Sequence, residues 1–271
     1  MFEFTKCHSL GNDFILLDFY KKSKNELTKL ISNTNWKSFV IKSCDKHFGV
    51  GADGILIISQ NNEILIFNAD GSQAELCLNG LRCAAYYLFK KYKLPPFFSC
   101  IMGGQKIDCE IDNKSVINQI KIKSSIEEKT IKISDQKLSG HFLQIPNPHF
   151  IIQKKITNKN FLKLSPLIES HKNFKNKTNI EFIWHSNENN YEMLVYERGV
   201  GPTLACGSGA TAVFYLISQL NKIKLNQKII IKMPGGKLTL WLDKDKKINM
   251  QAEANFIFTA SFNKDFLEFL F

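Results

Sequence analysis

Two cysteines stand in matched surroundings that suit acid–base chemistry. Around Cys77 the chain reads Phe67-Asn68-Ala69-Asp70-Gly71-Ser72, then Leu76-Cys77-Leu78-Asn79-Gly80-Leu81-Arg82-Cys83-Ala84-Ala85. Around Cys206 it reads Tyr196-Glu197-Arg198-Gly199-Val200-Gly201, then Ala205-Cys206-Gly207-Ser208-Gly209-Ala210-Thr211-Ala212. Both follow one template: an apolar strand, a glycine-bearing turn, then Cys-x-[Asn/Ser]-Gly opening an apolar helix. A helix N-terminus presents unpaired N–H groups and the positive end of the macrodipole. A thiolate placed there is expected to be stabilised, its pKa drawn from about 8.5 toward neutrality. The same N–H groups can hold a carboxylate. Two such sites, brought together by a repeat, would grip the carboxylate of an α-amino acid and flank its α-carbon with sulfur. Inverting that carbon needs a base on one face and an acid on the other, roles that a thiolate and a thiol can exchange. Their titrations are then coupled. N–H donors aimed at the developing enolate-like oxygens would each contribute about 3–4 kcal/mol.

The bland reading of either motif alone is a buried structural thiol, because unpaired cysteine is among the most buried residue types. The matched pair is what favours chemistry. Cys83 lies within the apolar face of its helix, and Cys7, Cys44, Cys100 and Cys109 have no helix-start setting, so all five read as core. Asn12, Asn68, Asn147 and Asn179 sit at turns or strand ends, where asparagine ordinarily bonds its own backbone. Their matched placement near the cysteines suggests ligands for a zwitterion. Arg198 suits a distal carboxylate held bidentately, or a surface ion pair with Glu197. His149, after Pro148, is a hydrogen-bonding wall, a third titratable group or a satisfied structural histidine.

The elements that must position these groups also repeat. Gly103-Gly104-Gln105-Lys106-Ile107 follows the first cysteine at nearly the interval by which Gly235-Gly236-Lys237-Leu238 follows the second. Upstream, Gly11-Asn12-Asp13-Phe14 corresponds to Pro146-Asn147-Pro148-His149-Phe150, and Gly49-Val50-Gly51-Ala52-Asp53-Gly54 to Thr178-Asn179-Ile180-Glu181-Phe182. Matched landmarks in one order indicate two copies of one domain. Short apolar runs such as 55–58 and 64–67 read as strands. Residues 25–44 read as a helix with an asparagine cap before Glu26. The strongest helical signals are 84–91 and 210–220, one after each motif cysteine, and 229–233 with 237–241 suggests a hairpin. The expected fold is α+β: two pseudo-symmetric lobes, each a curved, mostly antiparallel sheet wrapped around a central helix. The expected boundaries are 1–123 and 124–253, with a tail, 254–271, returning to the first lobe.

Composition narrows the alternatives. The net charge of +11 comes from lysines spread among Asn and Ile along the whole chain. No arginine-rich segment or RNP-type aromatic motif accompanies them, so nucleic acid is not an expected partner. An odd count of seven cysteines, without a secretory signal, argues against a disulfide framework. No Cys-x2-Cys pair or ligand-spaced His pair suggests zinc. No apolar run is long enough to span a bilayer. The expectation is a cytoplasmic protein without metal or cofactor.

These segments together resemble the diaminopimelate epimerase family over nearly the whole chain. The opening Phe4-Thr5-Lys6-Cys7-His8-Ser9-Leu10-Gly11-Asn12-Asp13-Phe14 is similar to its first signature. The Asn68–Cys83 segment is similar to its first active-site motif, and Glu197–Ala210 to its long and specific second one. The resemblance implies interconversion of LL- and meso-diaminopimelate for lysine and peptidoglycan synthesis, without pyridoxal phosphate or metal, by a homodimer. It implies that Cys77 and Cys206 are the acid and base, and that Leu78-Asn79 and Gly207-Ser208 bind the reacting carboxylate through backbone N–H groups. It assigns Asn12, Asn68, Asn147, Asn179, Glu197 and Arg198 to the amino and carboxyl groups, chiefly at the distal centre. His149 matches a site position of open role. Two positions depart from the pattern: Leu78 and Pro146 stand where the family has glycine. Leu78 keeps the required N–H if its backbone is helical and distorts the cradle if a positive φ is needed. The rivals are a proline, hydroxyproline or histidine racemase with the same thiols, a phenazine-biosynthesis-type isomerase, which lacks the thiol pair, and a non-enzymatic binding protein.

Overall fold

The computed structural model describes residues 2–221 and 223–268. The chain forms two compact units, one of residues up to Asn118 together with those from Ala252 onward, the other Gln119–Gln251. Of the expected tail, residues 269–271 lie outside the described residues.

The first unit opens with a hairpin, β1 (Phe2–Ser9) and β2 (Asn12–Asp18). Leu10 and Gly11 turn it with φ of 56° and 78°, the double left-handed conformation that suits strand twist in a two-residue loop. Helices α1 (Lys24–Ile31) and α2 (Trp36–Cys44) follow, then β3 (Gly54–Ile58), parallel to β2, and β4 (Glu63–Asn68), antiparallel to β3. A short β5 (Gln73–Ala74) leads to α3 (Leu78–Tyr92). Strand β6 (Phe97–Met102) runs parallel to β4 and pairs with β7 (Gln105–Asp112), after which β8 (Ser115–Ile120) carries the chain onward.

The second unit repeats this plan. The hairpin β10 (Gln136–Ile145) and β11 (Asn147–Gln153) is flanked by β9 (Glu127–Ile133). One helix, α4 (Asn158–Glu169), leads to β12 (Asn179–Asn187), parallel to β11, and β13 (Asn190–Glu197), antiparallel to β12. Then come β14 (Gly201–Thr203), α5 (Gly207–Leu220), β15 (Ile229–Met233) parallel to β13, β16 (Gly236–Leu242) and β17 (Ile248–Glu253). In the first unit the place of β9 is taken by β18 (Asn255–Phe262), which pairs antiparallel with β1 and is followed by α6 (Lys264–Leu267). The α+β reading with two related halves therefore holds, and each sheet is antiparallel apart from two parallel pairings.

Why α3 and α5 are central follows from their sequences. Every residue from Leu78 to Leu88 is buried, so the helix is enclosed all round rather than along one stripe. Most of α5, which has no charged side chain, is buried likewise. Strand residues alternate between this inner face and an outer one. Ile15, Leu17, Ile55 and Ile57 pack outward with Trp36, Phe39 and Val40, while Phe150, Ile152, Ile180 and Phe182 pack outward with Phe161 and Ile168. The strands are thus buried on both faces, which explains their unbroken apolar runs.

Two local expectations need correction. Residues 25–44 are not one helix: the chain breaks between Ile31 and Trp36, and the cap is Ser23, not Asn25. Ser23 Oγ accepts from Glu26 N–H while Glu26 accepts from the Ser23 backbone, a capping box that outcompetes a later start.

Candidate active site

Each motif cysteine is the N-cap of its unit's central helix, with extended backbone: φ, ψ of −141°, 106° at Cys77 and −119°, 113° at Cys206. The third helical residue is glycine in both cases for the same physical reason. A Cβ on Gly80 would lie 2.8 Å from Leu56 Cδ2, and one on Gly209 2.6 Å from Glu181 Oε1, so glycine lets each helix start sit against these side chains without displacing them.

In the first unit, the Cys77 N–H donates to Met102 Sδ at 3.3 Å, and the thiol is half-buried. Leu78 is the first helical residue and is not among the left-handed positions. The bulkier side chain therefore keeps the N–H that glycine would offer and is itself buried. Asn79 is buried and bonded by Arg82, whose guanidinium also donates to Ser9 Oγ at 3.0 Å and Asn118 Oδ1 at 3.3 Å. Arg82 is fully buried and meets only neutral acceptors among the described residues, and burial pulls its pKa down to about 10. Asn12 stands opposite Ser9 at the start of β2, and its Oδ1 is buried without a partner among the described residues. Asn68, at the end of β4, donates to Ser72 Oγ at 3.0 Å.

In the second unit, the residues singled out by sequence fall into local hydrogen-bonded groups. Cys206 Sγ accepts from Gly209 N–H at 3.4 Å and lies 3.3 Å from Ser208 Oγ; Gly207 opens α5 beside them. Asn179 Oδ1 accepts from the Arg198 N–H at 2.8 Å, and its Nδ2 donates to the Pro148 carbonyl at 3.0 Å. Arg198 is exposed, donates to the Asn176 carbonyl at 3.1 Å and reaches Asn147 Oδ1 at 3.5 Å. Its surface ion pair with Glu197 does not form, because Glu197 accepts from Thr203 Oγ1 at 2.6 Å instead. His149 is the satisfied, buried histidine of the alternatives: Nδ1 meets Glu181 Oε1 at 2.7 Å and Nε2 meets the Ile145 carbonyl at 3.2 Å. Pro146 sits in the β10–β11 turn with no cis bond.

The expected drop in thiol pKa is overturned at Cys206. Burial pushes it well above the ordinary thiol value, and the nearby Glu197 and Glu181 carboxylates push it further. The bonds from Ser208 and Gly209 act the other way and are outweighed. Burial likewise drives Glu197 up, with the Thr203 hydroxyl opposing. Cys44 and Cys83 are poor nucleophiles: burial pushes Cys44 up to about 12 and Cys83 well above its usual value. Among the described residues no disulfide links the cysteines and no cluster of His, Cys, Asp or Glu is placed to hold a metal ion. No helix among them is long and apolar enough to cross a membrane.

Sequence reasoning passed over three residues that support these groups: Arg82, Glu181 and Thr203. Glu181 left the clearest signal, a carboxylate inside the strand run Asn179-Ile180-Glu181-Phe182-Ile183, where every residue is buried.

Comparison with known proteins agrees with this architecture. The family described as diaminopimelate epimerase matches residues 4–120 and 142–257. A diaminopimelate epimerase of Prochlorococcus marinus is 32% identical over 95% of this chain and 97% of its own length. One from Methanococcus maripaludis is 31% identical over 94% of this chain and 98% of its own. One from Elusimicrobium minutum is 32% identical over 97% and 100%. Among solved structures, a phenazine biosynthesis protein of Bacillus anthracis superposes with a TM-score of 0.70 at 11% identity, covering 97% of this chain and 99% of that one. A hydroxyproline epimerase of Agrobacterium vitis gives 0.70 at 9% identity, covering 96% and 91%, a likeness of fold alone. With the family's pattern matched across both units and its members aligned end to end, the chain belongs to the diaminopimelate epimerase family.

Proposed function

We propose that the protein interconverts LL- and meso-diaminopimelate, with Cys77 and Cys206 as its two acid–base groups. The observation that carries the reading is the cysteine N-cap with a glycine-bearing first turn at equivalent places in both units, in a chain of this family. In one direction a thiolate takes the substrate α-proton, leaving an enolate-like carboxylate. The second thiol then delivers its own proton to the opposite face of the carbon. The thiolate and thiol have exchanged places, so the reverse reaction begins from the product state. The amides of Leu78-Asn79 and Gly207-Ser208 receive the reacting carboxylate, whose charge grows as the proton leaves. Asn12, with its unpartnered buried acceptor, suits an ammonium group, and Asn68, Asn147, Asn179, Glu197 and Arg198 complete recognition of the zwitterion. Acid and base are both side chains of the chain, so the scheme runs without an added cofactor. A homodimer working in the cytoplasm is part of the same reading; the half-exposed Ile257 and Phe258 of β18 favour self-association. Light scattering at the mass of two chains is the expected result.

The test is α-proton exchange in D2O followed by mass spectrometry. Deuterium should enter LL- and meso-diaminopimelate without cofactor, and Cys77→Ala or Cys206→Ala should each slow epimerisation by about a thousandfold. Full activity in either variant overturns the two-thiol assignment. Turnover of proline with none of diaminopimelate would overturn the substrate assignment.

A further inference from the structure

The strand registers place the two units in correspondence residue by residue. Phe14 pairs with Gly54 between β2 and β3 as His149 pairs with Asn179 between β11 and β12. Leu56 of β3 thereby matches Glu181 of β12, and each meets the glycine three residues past its motif cysteine. Behind Cys77 this inner position holds the apolar pair Phe14 and Leu56. Behind Cys206 it holds His149 and Glu181, both fully buried. A buried ionisable pair in place of a well-packed apolar one costs stability unless it serves something else.

The proton content of the pair follows from its partners. The Ile145 carbonyl can only accept, so His149 Nε2 must carry a proton. At 2.7 Å, Nδ1 and Glu181 Oε1 can face each other only with a second proton between them. The dyad therefore holds one shared proton between Nδ1 and Oε1, and its carboxyl end is Glu181. That end lies against the Gly209 Cα: a Cβ built there meets Glu181 Oε1 at 2.6 Å and Cys206 Cβ at 3.4 Å. The other carboxyl oxygen, Oε2, is buried with no partner among the described residues, so no donor offsets its lone pairs. Burial acts most strongly on Cys206, followed by Glu197 of β13 and then Glu181, and among the described residues the buried side chains of β10 and β16 that pack on α5 are apolar.

We propose that Glu181, held by His149, is a positioning residue that keeps Cys206 as the protonated thiol in the ligand-free protein, making it the resident acid of the pair. This deepens the reading above and rests on it for the word acid. The electrostatic claim stands separately, because it is read without turnover. Gln at 181 keeps the shape and can donate to Nδ1, but removes the carboxylate; Leu at 181 installs the residue of the first unit.

The experiment is an NMR titration of the full chain labelled with 13Cβ-cysteine, with Cys206→Ser and Cys77→Ser spectra for assignment. In the wild-type protein, Cys206 should remain a thiol beyond pH 9. In Glu181→Gln and Glu181→Leu its midpoint should fall by about one unit, tenfold more thiolate at a given pH, while the Cys77 midpoint stays in place. A wild-type Cys206 that ionises below pH 8 overturns the proposal even if neither variant folds. An unmoved Cys206 midpoint, or an equal shift at both thiols, in any variant that folds also overturns it. A wild-type chain that fails to epimerise diaminopimelate but shows the expected titrations would sink the functional reading and leave the electrostatic one intact.

Discussion

The two units share a backbone plan and differ in the charge they bury around it. The first unit has a cation inside, Arg82, and neutral residues at the other matched places: Phe14, Leu56 and Asn68. The second has Thr211 where the first has Arg82, and ionisable residues elsewhere: His149, Glu181 and Glu197. Thr211 Oγ1 donates to the Gly207 carbonyl at 2.7 Å and asks nothing of its surroundings electrostatically. Repetition thus supplied two helix starts of equal geometry, and substitution gave them opposite electrostatic settings. For two coupled thiols that hold one proton between them, such an inequality decides which one carries it.

Removing the buried cation should have the largest effect on stability. Arg82→Met removes the buried hydrogen bonds that the guanidinium gives to Ser9, Asn79 and Asn118, and urea unfolding should show a loss of about 4 kcal/mol. Thr211→Val at the matched place should lose only about 1 kcal/mol. Comparable losses at both would mean that Arg82 does no more than fill space. Leu78→Gly, which gives the first unit the helix start of the second, should lose about 3 kcal/mol of buried side-chain contact. It should nevertheless hold kcat within a few-fold, since the backbone N–H stays. A collapse of kcat with normal folding would mean that the leucine shapes the substrate site.

Capping offers a smaller contrast. Ser23→Ala removes a reciprocal capping box and should cost about 1 kcal/mol, while Thr157→Ala, which loses a single 3.4 Å bond at the start of α4, should cost less. The smallest effect is a slope. Burial raises the Glu197 carboxyl above its unfolded value, so the folded state binds its proton more tightly than the unfolded state. This group's contribution to stability is then fullest below about pH 4.5 and declines as pH rises through the raised folded value. Glu197→Gln should flatten that decline in denaturant titrations, whereas Asn68→Asp in the first unit should introduce no comparable slope, because Asn68 is exposed.

Much of this was legible in the chain itself, because duplication prints the same landmarks twice. The Gly-Asn and Pro-Asn hairpins, the double-glycine turns and the Cys-x-[Asn/Ser]-Gly starts all fall at matched places in the strand order. What stayed hidden depends on register and burial. Glu181 becomes informative only when β12 lies beside β11 and sets it against His149, a partner distant in sequence. The thiol pKa was misjudged at Cys206 because a local helix dipole is visible in sequence, whereas desolvation and two carboxylates from other strands are not. The single helix expected over 25–44 failed for a smaller reason. Ser23 with Glu26 is a stronger start signal than the asparagine, and the polar stretch 32–35 then ends the first helix.

The pairing of β18 with β1 sets an order on synthesis. Residues 119–251 are contiguous and leave the ribosome as one uninterrupted stretch, with β9 already in place beside β10. The amino-terminal strands emerge first, yet β1 must wait for residues 255–262 before its neighbour exists. A strand translated well before the second unit is thus sealed only after it. In the interval its apolar Phe2 and Phe4 side chains lack the Phe262 ring they pack against in the finished protein, which is when a nascent chain is most exposed to aggregation and to chaperones.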